Sequence, residues 1–341
     1  MTIENSFSDS EVLKKAKLLC LLYNKQQSHS CIRDSIEEDW EKSGLSQAHL
    51  ESSISKLQHL ESEGVKTLTI FDQEFEDLNL KLSKVSLFFC LGNIDLLKSN
   101  KKTVGIVGSR RATSQTLKAT ECMANILASN SYLIVSGLAM GVDAAAHRGA
   151  IRERRNSTIA VLGNPLPGVS PKHNYPLSKE VAASGGLIIS QFLPGVRVAR
   201  SNFIIRNRLI ADLSSSLIVT EAGLQSGSLS TARAVQKLDR PVFALPGGFN
   251  QERFAGSHLL IQKGASPIFS YDDFQSKMNL ELRTKEQVDS KVYQFISQRS
   301  ETSLSELLNK FADDIVFSEL IRLKNDNLIF ELPGPIYCAQ D

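Results

Sequence analysis

The stretch VGIVGSRRAT, residues 104–113, joins an apolar, strand-like run to a turn with two arginines and then to the start of a helix. In a parallel α/β sheet such a turn is a place for an anion. Small residues let backbone N–H groups approach it, and the helix N-terminus adds its dipole. Three anions are open: a dinucleotide, a free nucleotide, or the backbone of a nucleic acid.

The same texture repeats from Val65 to about Phe269. KTVGIVGS, SYLIVSG, STIAVLG, GLIISQF, SSLIVTEA and PVFALPG are short apolar runs, separated by helix-length stretches such as Ser114 to Ser129 and Val142 to Arg152. Continuous Val/Ile/Leu runs, rather than alternating ones, mark strands covered on both faces. Strand–helix alternation at this spacing predicts a doubly wound, mostly parallel α/β sheet. Residues 67–272 are therefore read as the core domain.

The flanks differ. Residues 1–66 are polar with helical periodicity, as in SEVLKKAKLLCLLYN and LSQAHLESSISKLQHLESEG, and are expected to form a small helical N-terminal domain ending at Gly64. Residues 270–284 read as a polar connector. Residues 285–341 read as three short helices and a hairpin around Pro-Gly-Pro, a winged-helix-like C-terminal module.

The 341 residues contain 42% hydrophobic and 22% charged residues, which is ordinary for a soluble globular protein. No apolar run approaches the roughly 20 residues of a membrane span. The N-terminus has no basic-then-apolar leader, so a cytoplasmic location without a membrane partner is expected. Five scattered cysteines, with no CxxC pair, point to reduced thiols and to no metal site. The net charge of +2 is too small to announce nucleic acid. Local clusters say more: Lys101, Lys102, Arg110 and Arg111; Arg148, Arg152, Arg154 and Arg155; Arg197, Arg200, Arg206 and Arg208. Acidic residues collect in the flanks, so a basic stripe on the core is expected.

Ligands of open α/β sheets bind at the carboxyl ends of the strands. There the sequence places Gly108-Ser109, Ser136-Gly137, Gly163-Asn164, the Ser226-Gly227-Ser228 turn and Pro246-Gly247-Gly248. Arg110 is expected to fork onto a phosphate, with Arg111 beside it. Phe203 precedes Arg206, Asn207 and Arg208, which supplies an aromatic face for a base next to cations for a phosphate. Lys172 is a further phosphate candidate. Asp143 and His147 stand at i and i+4 on one helix face; they fit an acid–base pair, and better a structural pair supporting the rim. Glu221 closes a strand; among catalysis, ribose fixing and organising the neighbouring arginines, the last is preferred. A GxGxxG dinucleotide turn, a P-loop, a nucleophile elbow and HExxH are all missing from the sequence. No cofactor is expected.

The ordered motifs VGIVGSRRAT, IVSGLAMGVDAAAHRGAI, TIAVLGNPLPGVSPKHN, NFIIRNRLIADLSSSLIVTEAGLQSGSLSTARAV and PVFALPGGF resemble the DNA-processing protein A (DprA/Smf) family. The resemblance covers roughly residues 65–270. It implies an extended Rossmann-like fold, single-stranded DNA as ligand, a homodimer, and delivery of the strand to the RecA recombinase in natural transformation (competence). It implies no catalytic activity. Carried residue by residue, the DNA-binding set becomes Gly108, Ser109, Arg110, Gly137, Lys172, Phe203, Arg206 and Asn207, which overlaps the residues chosen on physical grounds. Arg111 and Arg208 join it from the basic clusters. Asp143, His147, Asn164, Glu221, Ser226, Gly227 and Ser228 are expected to support the rim.

This chain departs from the family pattern in its helical N-terminus, which lacks the Gly-x-Gly hairpin of many members and is not expected to bind DNA, and in three further places. Met140 stands where a basic residue is usual, Ile204-Ile205 follow Phe203 in place of Phe-Pro, and His258 replaces an Asn. The C-terminal module has Asp313, Asp314 and Glu319 in its second half, which suits docking or dimer support better than phosphate. The alternative of a different class is a phosphoribohydrolase-like nucleotide enzyme. PGGFNQERF begins like its PGGxGTxxE signature but lacks the Gly-Thr step and the spaced acid.

Overall fold

A computed structural model of the chain describes residues 10–24, 40–76, 78, 85–98, 101–168, 171–280, 290–299, 301–325, 329–332 and 334–339. They fall into two compact units, Met1–Phe274 and Gln275–Asp341.

The first unit opens with helices α1 (Ser10–Asn24) and α2 (Gln47–Ser62), then strands β1 (Val65–Thr69), β2 (Leu87–Gly92) and β3 (Thr103–Val107). From β3 onward strand and helix alternate. The order is α3 (Ser114–Ser129), β4 (Leu133–Ser136), α4 (Val142–Glu153), β5 (Thr158–Leu162), α5 (Tyr175–Ala183) and β6 (Leu187–Ser190). It continues with α6 (Arg200–Leu213), β7 (Ser216–Val219), α7 (Ser228–Gln236), β8 (Val242–Ala244), α8 (Ala255–Gln262), β9 (Ser266–Pro267) and α9 (Tyr271–Met278).

The nine strands lie in the order β1-β2-β6-β5-β4-β3-β7-β8-β9. All neighbours from β6 to β9 are parallel; β2 pairs antiparallel with both β1 and β6. This is a Rossmann-like, mostly parallel α/β sheet. Every residue of β4, β5, β6 and β7 is buried, as their unbroken apolar runs require. Alternate residues divide between two cores. Val135, Val161, Ile189 and Val219 face Leu209 and Ile210 of α6 and Leu229 and Val235 of α7. Ala160, Leu162 and Ile188 face Ala144 of α4, Leu177 and Val181 of α5, and Leu18 to Leu22 of α1.

That second core changes the expected domain plan. The N-terminal helices are not a separate body: α1 lays its leucines on the sheet, Lys15 pairs with Asp72 at 2.6 Å, and the Tyr23 hydroxyl donates to Pro194 O at 2.7 Å. An amphipathic helix reads the same whether its partner is a neighbouring helix or a distant sheet, so the boundary at 66 was not decidable from periodicity. The expected connector 270–284 also contains helix α9, and residues 281–289 lie outside the described set.

The second unit contains α10 (Lys291–Ser297), β10 (Thr302–Ser303), α11 (Leu304–Lys310), α12 (Asp313–Asn325), β11 (Ile329–Leu332) and β12 (Ile336–Ala339). Ser290 caps α10, and a Ser303–Glu306 capping box starts α11. The strands form a small antiparallel sheet in the order β10-β12-β11. Its core is Val292, Tyr293, Ile296, Leu307, Val316, Leu320 and Leu323 against Ile329 and Tyr337.

Candidate nucleic-acid interface

In the parallel part of the sheet the chain winds one way from β3 through β4 and β5 and the other way through β7 and β8. The topological switch point is therefore between β3 and β7, where the crevice of an open α/β sheet forms. The turn 108–110 leaves β3 at this point. Ser109 N–H donates to Glu221 O at 2.7 Å, Ser109 O accepts from Val142 N–H at 3.2 Å, and Ser109 Oγ accepts from Arg111 N–H at 3.1 Å. With its backbone fixed on both sides, the turn projects Arg110 and Arg111 into solvent.

The Arg110 guanidinium stands 5.4 Å from the centroid of the Phe203 ring, in cation–π range. Phe203 lies in the first turn of α6 and packs on Gly163 at the end of β5. A Cβ on Gly163 would sit 2.7 Å from the ring, so only glycine lets the phenyl lie over the strand end. An aromatic face and an exposed guanidinium thus meet at the carboxyl edge.

Beneath them is a floor of buried polar groups. Arg206 is one turn past Phe203, nearly wholly buried. It donates to Gly137 O at 2.6 Å and Val161 O at 3.0 Å through Nη1, and to Asn207 Oδ1 at 3.1 Å through Nε. Asn207 Nδ2 reaches across to Gly227 O at 3.2 Å and Ser230 Oγ at 2.8 Å. These two side chains therefore tie together the ends of β4 and β5 and the start of α7. Gly137 is squeezed between charges: a Cβ there would overlap the Arg206 guanidinium and come 2.7 Å from Asp143 Oδ2. Burial pushes the Asp143 carboxyl up from the usual range, against the pull of Arg206, and pushes Arg206 down, against the pull of Asp143. Each charge offsets part of the cost of burying the other.

Asp143 also accepts from Ala139 N–H at 3.4 Å. His147, fully buried, has Nδ1 2.7 Å from Thr158 Oγ1, whose own proton goes to Ile134 O at 2.9 Å. Nδ1 must then be the protonated nitrogen, which leaves Nε2 a buried lone pair without a hydrogen-bond partner. Burial, helped by Arg206 and Arg148, holds the imidazole down to about 3, so it is neutral at physiological pH. The pair sits in the floor beneath the rim.

Glu221, in the turn after β7, is buried as well. Its Oε2 accepts from Thr113 N–H at 3.0 Å and Thr116 Oγ1 at 2.9 Å, which clamps the N-terminus of α3; its Oε1 lies 3.9 Å from Arg253. Thr113 and Arg253 were not singled out in the sequence. Thr113 had a signal, its place just before a helical run, and it caps α3 through Thr116 N–H at 3.1 Å.

Lys172 is exposed in a short 3-10 turn, and that loop is held to the rim by Asn174 Nδ2 donating to Leu138 O at 2.9 Å. Asn164 staples the same loop through Pro165 O and Gly168 O at 2.9 and 2.8 Å. Ser226 and Ser228 pair at 2.7 Å before α7. Arg208, two residues past Arg206, is turned by about 200° around the helix and is exposed away from the floor. The cluster Arg148, Arg154 and Arg155 does not extend the rim. Arg148 pairs with Glu121 at 2.9 Å, and Arg154 and Arg155 bond Ser131 Oγ and Ala183 O, which precede the amino ends of β4 and β6. Among the described residues no cluster of three or more His, Cys, Asp or Glu could hold a metal, and no helix is long and apolar enough to cross a membrane.

Fold and rim together define a Rossmann-like α/β protein whose carboxyl edge presents arginine and aromatic side chains on a buried polar floor. The chain belongs to the DNA recombination-mediator protein A family, whose model matches residues 66–279. It is 41% identical over 187 residues to DNA processing protein DprA of Streptococcus pneumoniae, covering 55% of this chain and 64% of that protein. It is 36% identical over 225 residues to protein Smf of Synechocystis, covering 64% of this chain and 56% of that one. The matches thus span about three-fifths of each relative. Among solved structures, DprA of S. pneumoniae is similar with a TM-score of 0.59 at 32% identity, over 80% of this chain and 97% of that one. DNA processing protein A of Helicobacter pylori, solved to describe its single-stranded DNA binding mode, has a TM-score of 0.56 at 32% identity, over 63% of this chain and 95% of that one.

Proposed function

We propose that this chain captures single-stranded DNA along the carboxyl edge of its sheet and acts on it by binding, without a chemical step. The observation that carries the reading is the Arg110–Phe203 pair at 5.4 Å, placed at the switch point. A guanidinium can fork onto a phosphate while a neighbouring phenyl stacks a base, which is what a strand without a partner strand offers. Lys172, on the same rim, neutralises a further phosphate. Arg206 and Asn207 do not reach the strand; they are positioning residues that set the strand-end turns, with Asp143, His147, Asn164 and Glu221 completing the floor. Glu221, committed to the start of α3, does not act as a hydrolase carboxylate.

Family membership supports the wider role. The strand is delivered to a RecA-type recombinase in the cytoplasm, by a homodimer whose two rims extend the track, as part of DNA uptake in natural transformation. The test is the affinity of the full chain for a fluorescent oligothymidine against duplex of equal length across a salt series. Preference for the single strand, with affinity falling as salt rises, is expected. Equal or absent binding to both forms overturns the reading.

A further inference from the structure

The apolar side chains that the first unit leaves in water are not scattered. Leu13 apart, every large one among the described residues follows the carboxyl end of a strand. Met140 follows β4, Tyr175 β5, Ile204 β6, Leu224 β7, Phe249 β8 and Phe269 β9. Scattered exposure is normal on a protein surface, but confinement to one edge marks a face that meets something.

Phe249 is the extreme case, fully exposed in the loop after β8. The loop that carries it is braced. Gly247 N–H donates to His258 Nε2 at 3.1 Å, and Gly256 N–H donates to Ala222 O at 2.7 Å, fastening it to the turn after β7. Four residues on, Arg253 stands half-exposed over the switch point, 3.9 Å from Glu221. Glu221 in turn holds the Ser109 N–H of the Arg110 turn through its backbone oxygen. The two sides of the switch point therefore carry the same pair of chemistries, Phe203 with Arg110 on one side and Phe249 with Arg253 on the other, connected through Glu221.

We propose that Phe249 is a second base-stacking station of this rim, so that a bound single strand runs from Phe203 and Arg110 across the switch point, past Arg253, to Phe249. The inference rests on the strand-binding reading above. Continuity with that site decides the occupant: an edge that carries exposed arginines as well as exposed aromatics suits a polyanion whose units have flat faces better than an apolar protein surface. From β5 to β8 is four strand spacings, roughly 19 Å, so a strand needs several nucleotides to touch both stations.

The test compares Phe249→Ala, Arg110→Ala and the parent, as full chains, on a long oligothymidine of about 20 nucleotides and a short one of about four. Phe249→Ala, which removes an exposed ring, is expected to fold and sediment as the parent does. It should weaken the long oligomer about fivefold or more and leave the short one, held at Arg110, nearly unchanged. Arg110→Ala should weaken both. Iododeoxyuridine placed in the long oligomer should photocrosslink to the peptide that contains Phe249. If Arg110→Ala weakens binding while Phe249→Ala does not and no such crosslink forms, the second station is overturned and the strand-binding reading stands. A changed sedimentation of Phe249→Ala, with long-oligomer affinity kept, would make this face a protein interface. If the parent binds neither oligomer, both fail together.

Discussion

The rim has two layers of ionisable side chains with opposite fates, and arginine stands in both. On the surface, Arg110, Arg111 and Lys172 end in water, whereas one layer down Arg206, Asp143, His147 and Glu221 are almost fully buried. An exposed arginine costs little to hold and is free to meet a phosphate. A buried one is expensive, and it is kept because it fastens several strand ends at once. On the strand-binding proposal the contrast divides the work: the floor fixes geometry and the surface meets the strand. Substitutions in the floor should therefore appear first in stability, and substitutions on the surface in binding alone.

The largest effect is expected at Arg206. Arg206→Ala would strip Gly137 O and Val161 O of their donor and leave buried Asp143 with only the weaker pull of Arg110. The loss should be about 3–5 kcal/mol in denaturant unfolding, the range for breaking one side of a buried charge arrangement. Combining it with Asp143→Asn should recover part of that loss, because the uncompensated carboxylate is then gone. A variant of near-parental stability that had lost strand binding would move Arg206 into the surface layer and undo the distinction.

His147 tests the floor through pH. Its folded value, about 3, lies below the ordinary histidine value near 6.5. Between these values the unfolded chain holds a proton that the folded chain refuses. The contribution to stability is thus complete above about pH 6.5 and is lost as pH falls toward 3, with a slope of about 1.4 kcal/mol per pH unit. His147→Asn, whose amide can still donate to Thr158, should unfold with a shallower pH dependence than the parent over that window. Equal slopes would mean that the imidazole is solvated.

The two layers also explain what could be read in the sequence. The strands were legible because burial on both faces forces unbroken apolar runs, as in TIAVL and LIIS. The exposed place of Arg110 was legible because Gly-Ser after a strand makes a turn, and the next residue leaves it outward. The direction of Arg206 was not. Phe203, Arg206 and Asn207 share a helix face by spacing, but spacing does not say whether that face looks down onto carbonyls or out to solvent. Phe249 gave no signal either, since a phenylalanine beside Gly-Gly reads as a core residue until the loop is seen to carry it outward. The winding of α1 onto the sheet was hidden for the same reason: periodicity names a buried face and not its partner.

The smallest effects lie on the surface, and they separate its two chemistries. Phe203→Ala should weaken oligothymidine binding by about 1–3 kcal/mol with the salt slope unchanged, because stacking releases no counterions. Arg110→Ala should lower the slope of log affinity against log salt by about 0.7, one phosphate contact on a single strand. Because the guanidinium lies 5.4 Å from the ring, the two are not independent. Their double variant should cost less than the sum of the singles, by about 0.5–1 kcal/mol for an exposed cation–π contact. Strict additivity would mean that Arg110 leaves the ring when the strand binds, so that the pairing belongs to the free protein and is exchanged for phosphate on capture.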